Sequence, residues 1–274
     1  MESGPIGIFD SGYGGLTVMK EIVNELPQYD YIYLGDNARA PYGNRSFETV
    51  YEYTLQSVNA LFNKGCKLVI LACNTASAKA LRNIQQRDLP KMDARLRVLG
   101  VIRPTSELIG SFSKSKNVGI LATSGTVSSN SYPIEIEKFY PEINVFQEAC
   151  PIWVPLIENN EFNNIGADYF IKKHIDNLLE KSSDIDTILL GCTHYPLLQD
   201  KIKQLLPQNI ELLSQGKIVS KSLKDYLFRH SALELVCSKN GKTAFYTTDS
   251  TEIFDQQAEI FYGKKLKSEY LHLK

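Results

Sequence analysis

The sequence has no long hydrophobic run and no excess of charge of either sign. Its apolar runs are short, as at residues 68–73 and 188–190, whereas a membrane-spanning helix needs roughly 18 apolar residues or more. Thirty basic residues against 31 acidic ones leave a formal net charge of −1. Proteins that bind nucleic acid or a membrane surface by charge are typically more basic. We therefore expect neither nucleic acid nor a membrane among its partners.

Cysteine is scarce, and the cysteines that occur form no paired motif. The five are Cys66, Cys73, Cys150, Cys192 and Cys237. Their number is odd and no two are spaced as a CxxC pair, while a chain of this length buries enough surface to fold without disulfides. The first ten residues also lack the basic and then apolar pattern of a secretory signal. These features predict reduced thiols in a cytoplasmic protein, with neither a disulfide framework nor a zinc site.

Short apolar runs alternate with helical patterns along the 274 residues. The predicted strands lie at residues 6–9, 31–34, 68–72, 98–101, 118–121, 143–146, 187–190 and 244–246. Between most of them apolar residues recur at helical spacing, most clearly over residues 47–62 with Ser46 as the cap. This alternation predicts an α/β fold with mainly parallel strands. Ligands bind such sheets at the carboxyl ends of the strands.

Two segments of the first half of the chain resemble two segments of the second half. Residues 7–12, GIFDSG, resemble residues 119–125, GILATSG, and residues 69–75, VILACNT, resemble residues 188–194, ILLGCTH. The pairs occur in the same order along the chain. Such long-period similarity predicts two related α/β halves.

Cys73 and Cys192 each follow an apolar strand, at equivalent places in the two similar segments. A single cysteine there is most often a small buried residue, as we expect for the other three. Two cysteines that face one cleft favour a catalytic role. One thiol can remove a proton from a carbon while the other donates a proton to the opposite face of that carbon. The alternative is one nucleophilic cysteine with a histidine such as His194 nearby.

Asp10 ends the first predicted strand and precedes the glycine-rich turn SGYGG. A carboxylate in this place is suited to orient a thiol or accept a proton, and equally to cap a helix. The backbone N–H groups of such a turn can hold a carboxylate or phosphate at a helix start. The glycine spacing matches neither the dinucleotide-binding nor the Walker pattern, which weakens a nucleotide-binding interpretation.

Together, four motifs resemble those of the glutamate racemases, within the aspartate/glutamate racemase superfamily. They are FDSGYGGLTV from Phe9, GDNARAPYG from Gly35, ACNTASA from Ala72 and GCTHYPLL from Gly191. They occur in the family's order over residues 9–198, and ATSGT from Ala122 and CPIWVPLIE from Cys150 also fit. The combination is specific, although each motif alone is not.

This resemblance implies an isomerase that interconverts L- and D-glutamate by a two-base mechanism with no cofactor and no metal. Cys73 and Cys192 would be the paired acid and base, with Asp10 assisting the first and His194 the second. Glu158, which closes the VPLIE motif, is also assigned to catalysis. The implied substrate contacts are Ser11, Pro41, Tyr42, Gly43, Asn74, Thr75, Thr123, Thr126 and Thr193.

The resemblance also implies two pseudo-symmetric α/β domains with mainly parallel sheets and the active site in the cleft between them. The second domain, residues 98–209, would be inserted in the first, which comprises residues 1–97 and 210–274. The product would supply cytoplasmic peptidoglycan biosynthesis, and hence cell wall biogenesis and cell shape. Homodimers occur in the family, and the sequence leaves the oligomeric state open.

Three other functions remain open at this point. The nearest is racemisation of aspartate or another amino acid on the same scaffold. A one-cysteine lyase such as a decarboxylase is a second, and the presence of both cysteines with their full motifs counts against it. A non-enzymatic binding module is the third, and the intact motifs count against that as well.

Overall fold

The computed structural model describes residues 3–273, and every strand in that part of the chain lies in one of two parallel sheets. The first sheet contains β1 (Ile6–Asp10), β2 (Tyr31–Gly35), β3 (Leu68–Leu71), β4 (Arg97–Gly100), β9 (Thr243–Thr247) and β10 (Ser268–Tyr270), in the order β10-β9-β2-β1-β3-β4. The second contains β5 (Asn117–Ala122), β6 (Asn144–Ala149), β7 (Thr187–Gly191) and β8 (Glu211–Leu213), in the order β6-β5-β7-β8. The predicted α/β class with parallel strands is confirmed.

Helices connect the strands and cover the sheets. They are α1 (Gly15–Glu25), α2 (Phe47–Asn63), α3 (Asn74–Lys79), α4 (Leu81–Asn83), α5 (Ile102–Ser106), α6 (Ser124–Ser128), α7 (Ser131–Glu137), α8 (Trp153–Glu158), α9 (Ile165–Leu179), α10 (Gln199–Leu205), α11 (Gly216–Arg229), α12 (Ser231–Glu234) and α13 (Thr251–Tyr262). The predicted cap of α2 is confirmed, because the Ser46 side chain accepts a hydrogen bond from the Thr49 N–H at 3.2 Å. Helix α13 ends at Gly263, whose φ of +78° favours glycine.

All eight predicted strands are present, and two further strands were missed. The missed strands, β8 and β10, have only three residues each and lie at sheet edges. By contrast, β1, β3 and β7 are buried along their whole length, which explains their unbroken apolar sequences. No helix within residues 3–273 is long and apolar enough to cross a membrane.

The sheets reproduce the internal similarity seen in the sequence. Strands β2-β1-β3-β4 of the first sheet match β6-β5-β7-β8 of the second in order and direction. The similar segments fall on β1 and β5 and on β3 and β7, which occupy equivalent places. The chain passes from the first sheet to the second after Gly100, where β4 ends, and returns towards the first sheet after Leu213, where β8 ends. The domain boundaries at 98 and 209 stay a prediction that lies within a few residues of these crossings.

One half-buried carboxylate fastens the loop that leads into β5, an inner strand of the second sheet. Asp186 accepts hydrogen bonds from the Ser113 hydroxyl at 2.6 Å and from the N–H groups of Lys114 and Ser115 at 2.7 Å each. Burial alone raises the pKa of Asp186, but these hydrogen bonds outweigh it and lower the pKa from 3.8 to about 2. The ionised form is therefore the one that stabilises the fold.

We expect Asp186→Asn to lower the free energy of unfolding by about 1–3 kcal/mol at pH 7, because it weakens several hydrogen bonds to a charged acceptor. The pKa of Asp186 is lower in the folded state than in the unfolded state. The stabilisation by ionised Asp186 is therefore complete above about pH 4 and disappears as pH falls towards 2. Urea unfolding at pH 7 and pH 3 checks both statements. The exposed Asp176→Asn, which only loses a surface pair with Lys172, should cost less than about 0.5 kcal/mol. Equal losses for the two variants would contradict the prediction.

Candidate active site

A cavity lies at the carboxyl ends of the strands, with walls from both halves of the chain. Residues that follow β1, β3, β5, β6 and β7 line it, together with a loop after β2 and one face of α8. The lining residues are Ser11, Ala40, Pro41, Tyr42, Gly43, Asn44, Cys73, Asn74, Thr75, Thr123, Pro151, Val154, Pro155, Glu158, Cys192, Thr193 and His194. The cavity therefore occupies the place where parallel sheets typically bind ligands.

Cys73 lies on the wall contributed by the first sheet. It caps α3, and its Sγ accepts a hydrogen bond from the Ala76 N–H at 3.4 Å. The Ser11 Oγ lies 3.5 Å from the same sulfur. Burial, reinforced by the negative charge of Asp10, raises the pKa of Cys73 to about 12. Cys73 therefore holds its proton at neutral pH in the ligand-free protein.

Asp10 is fully buried and lies behind the cavity wall rather than on it. Its carboxylate accepts hydrogen bonds from the Gly12 N–H at 2.9 Å and from the Thr193 hydroxyl at 3.4 Å. Burial raises the pKa of Asp10, while the charge of His194 and the nearby N–H groups oppose that rise. Asp10 thus links the turn after β1 to the residue that follows Cys192.

Cys192, His194 and Glu158 form a chain of contacts on the opposite wall. The Cys192 Sγ lies 3.9 Å from the His194 Nδ1, and the His194 Nε2 lies 2.9 Å from the Glu158 Oε1. Burial by itself lowers the pKa of His194, but the hydrogen bonds and charges of Cys192 and Glu158 outweigh it and raise the pKa to about 10. His194 is therefore a cation at neutral pH, with one ring N–H directed to each partner.

The glycine-rich turn after β1 serves close packing between the two halves. A Cβ on Gly14 would lie 2.4 Å from the His194 Nδ1 and 2.4 Å from the Thr193 Oγ1. The Thr17 hydroxyl, in the first turn of α1, donates to the Thr193 carbonyl at 2.9 Å. The turn therefore positions the Cys192 wall, and only glycine leaves room at Gly14.

The predicted loop 35–43 reaches the cavity through its last four residues. The Tyr42 hydroxyl donates to the buried Asp36 carboxylate, which also accepts from the Arg39 Nε at 2.6 Å. The Ala40–Pro41 peptide bond is cis. The Gly43 carbonyl accepts a hydrogen bond from the Gly125 N–H at 2.8 Å. Asp36 therefore fixes a loop that the second half of the chain holds in place.

Three threonine hydroxyls cluster where the two halves meet. The Thr75 Oγ1 lies 2.9 Å from that of Thr123 and 3.3 Å from that of Thr126. Thr75 and Thr123 line the cavity, whereas Thr126 is fully buried behind them. Of the fourteen residues proposed from the sequence, only Asp10 and Thr126 lie off the wall, and the substrate contact of Thr126 stays a prediction.

Five cavity residues were missed by sequence reasoning. They are Ala40, Asn44, Pro151, Val154 and Pro155. All of them fall inside or next to the motifs quoted above, so membership of a motif was the one available signal. Four of them are apolar, and the fifth, Asn44, is a polar loop residue. Within residues 3–273 no three His, Cys, Asp or Glu side chains are grouped to hold a metal ion.

Comparisons with known proteins agree with this geometry. The chain matches the Asp/Glu/Hydantoin racemase family model over residues 6–219. It is 39% identical to glutamate racemase 2 of Caldanaerobacter subterraneus subsp. tengcongensis over 99% of this chain and 98% of that protein. Two solved glutamate racemases superpose over 100% of this chain and 99% of their own: isoform RacE1 of Bacillus anthracis, with a TM-score of 0.89 and 32% identity, and the Francisella tularensis protein in complex with D-glutamate, with 0.88 and 31%. This chain therefore belongs to the Asp/Glu/hydantoin racemase family.

Proposed function

We propose that this protein is a glutamate racemase, which interconverts L- and D-glutamate by proton transfer at the α-carbon and needs no cofactor. One observation carries the proposal. Cys73 and Cys192 follow equivalent strands of two similar sheets and line one cavity. Inversion of a carbon centre requires an acid and a base on opposite faces of that carbon, and this arrangement supplies them from opposite walls.

The reaction balances with these two sulfurs alone. A thiolate on one face takes the α-proton, and the electron pair stays on the α-carbon as a planar carbanion. The thiol on the other face then donates its proton to the same carbon. The two sulfurs have then exchanged protonation states, which readies the site for the opposite direction. One protonation state of the enzyme accepts L-glutamate and the other accepts D-glutamate. Both directions of the reaction therefore use the same two cysteines.

The neighbours of the sulfurs assign their resting roles. The His194 cation lies 3.9 Å from the Cys192 Sγ and stabilises negative charge there, while Glu158 holds the imidazolium from its other side. Cys73 sits between Ser11 and the buried Asp10, and its raised pKa keeps the proton on sulfur. We infer that Cys192 is the resting base and Cys73 the resting acid.

The substrate is anionic, yet no lysine or arginine lines the cavity within the described part of the chain. Its two carboxylates therefore have to be held by hydroxyl, amide and backbone N–H groups. The wall provides these from Ser11, Asn74, Thr75, Thr123 and Thr193, with Pro41, Tyr42 and Gly43 closing one side. Preorganised donors of this kind also stabilise the charge that develops as the α-proton leaves.

The biological role that we propose is the supply of D-glutamate for peptidoglycan. The protein would act in the cytoplasm, and its five cysteines are all free, as that compartment favours. A homodimer is the assembly that the family resemblance suggests. Racemisation of aspartate on the same scaffold is less favoured, because the relatives that match over nearly the whole chain are glutamate racemases. A panel of L-amino acids separates these substrates.

We expect Cys73→Ser and Cys192→Ser each to lower kcat for racemisation by about 10²- to 10⁴-fold in both directions, since a serine hydroxyl is a far weaker acid than a thiol. Polarimetry started from L- and from D-glutamate measures the loss. Cys237→Ser is the matched control, because that buried thiol only donates to the Leu233 carbonyl at 3.4 Å. If either of the first two variants keeps near-normal rates, the two-base assignment is wrong.

A second prediction concerns pH. The Glu158 carboxylate raises the pKa of His194, so Glu158→Gln should lower that pKa. His194 then loses its proton at a lower pH, and the alkaline limb of the kcat/KM profile should move to lower pH with about a tenfold loss of activity. Glu161→Gln, an exposed carboxylate that accepts from Asn164, controls for the change of charge. An alkaline limb at the wild-type position would exclude the proposed role of Glu158.

A further inference from the structure

Asn74, on the cavity wall, and Tyr132 and Gln215, which do not line the cavity, close a ring of hydrogen bonds. The Asn74 Nδ2 donates to the Gln215 Oε1 at 2.7 Å, and the Gln215 Nε2 donates to the Tyr132 hydroxyl oxygen at 2.8 Å. The Tyr132 hydroxyl in turn donates to the Asn74 Oδ1 at 2.6 Å. Every member is a donor once and an acceptor once, so the ring has one consistent direction.

The ring connects residues that neighbour the two cysteines in the chain. Asn74 directly follows Cys73 and is the first residue of α3. The aromatic ring of Tyr132 packs beside Gly191, the residue before Cys192, where an added Cβ would lie 3.2 Å from the Tyr132 Cε2. Through Tyr132, Gln215 thus links Asn74, the residue after Cys73, to Gly191, the residue before Cys192.

Gln215 also joins the two segments by which the chain crosses between the sheets. It directly precedes α11, on the return to the first half. Its Nε2 lies 3.1 Å from the Val101 carbonyl oxygen and 3.1 Å from the Thr105 Oγ1, on the outward crossing. A backbone carbonyl only accepts, so Val101 fixes which end of the Gln215 amide faces it. With its Nε2 towards Val101, Gln215 presents its Oε1 to Asn74. The Asn74 amide must then point its Nδ2 towards Gln215, which fixes its orientation as well.

The ring is cut off from solvent, which makes it sensitive to the loss of any member. Asn74, Gln215 and Tyr132 are 2%, 3% and 0% exposed. A buried donor or acceptor without a partner is costly, and a network of this kind is well formed only when every member is satisfied. Opening the ring at one residue should therefore release the other two.

We propose that Gln215 is a positioning residue that sets the spacing of Cys73 and Cys192 across the cavity. The proposal rests on the racemase activity proposed above. With the spacing relaxed, the second thiol reaches the carbanion late. The carbanion then persists, the first thiol exchanges its proton with solvent, and more of the substrate is reprotonated on its original face. Inversion slows while exchange without inversion grows.

The test compares wild type, Gln215→Met and Tyr132→Phe in D₂O with L-glutamate. Gln215→Met keeps the length of the side chain and removes its amide, and Tyr132→Phe removes one oxygen and keeps the contact with Gly191. We expect kcat for racemisation to fall about 10- to 100-fold in each, with KM changed less than about threefold. The deuterium in recovered L-glutamate, relative to that in D-glutamate, should rise. The double variant should lose no more than the worse single one.

Gln85→Met is the matched control, because its Nε2 donates only to the Val98 carbonyl at 2.7 Å, away from the cavity. It should leave both kcat and the deuterium ratio at their wild-type values. Thermal unfolding of every variant identifies any variant that fails to fold. If Gln215→Met does not fold, the result with Tyr132→Phe tests the proposal. The proposal is overturned if Gln215→Met or Tyr132→Phe folds and still shows the wild-type ratio of deuterium in L-glutamate to deuterium in D-glutamate. A wild type that fails to racemise glutamate overturns the proposed function instead.

Discussion

The geometry of inversion is the constraint on which this molecule depends. A carbon centre is inverted only when proton-transfer groups approach it from opposite sides, and one sheet presents its carboxyl ends from one side. Here two parallel sheets of the same strand order contribute one cysteine each, from β3 and β7. The repeated architecture therefore serves the chemistry directly, since each half supplies one face of the reaction.

The charged groups of the site are one cation and two carboxylates. His194 is the cation, and the carboxylates of Glu158 and Asp10 are its acidic neighbours, with Asp10 reached through Thr193. Burial raises the pKa of Cys73 on the first-half wall, whereas the second-half wall carries the ion pair of His194 and Glu158. This asymmetry gives two chemically identical thiols different electrostatic surroundings.

Much of this arrangement could be predicted from the sequence because its signals are local. Unbroken apolar runs predicted the buried strands, and twelve of the fourteen site residues named from the sequence line the cavity. The short edge strands β8 and β10 carry no such pattern. The role of Gln215 was out of reach because its partner Asn74 lies 141 residues away. Asp36 was missed although its partners Arg39 and Tyr42 lie only 3 and 6 residues away, because an aspartate in a polar loop is also typical of an ordinary turn.

The most direct test of the two-faced mechanism uses the wild-type protein, checked to be free of pyridoxal phosphate, with L-glutamate in D₂O. Proton NMR follows the α-proton while circular dichroism follows the optical activity of the same mixture. We expect the α-proton signal to disappear as the dichroic signal decays to zero, since the second thiol delivers a deuteron to the opposite face. Loss of the α-proton with full retention of optical activity would mean that only one face is served, and would refute the pairing of Cys73 with Cys192.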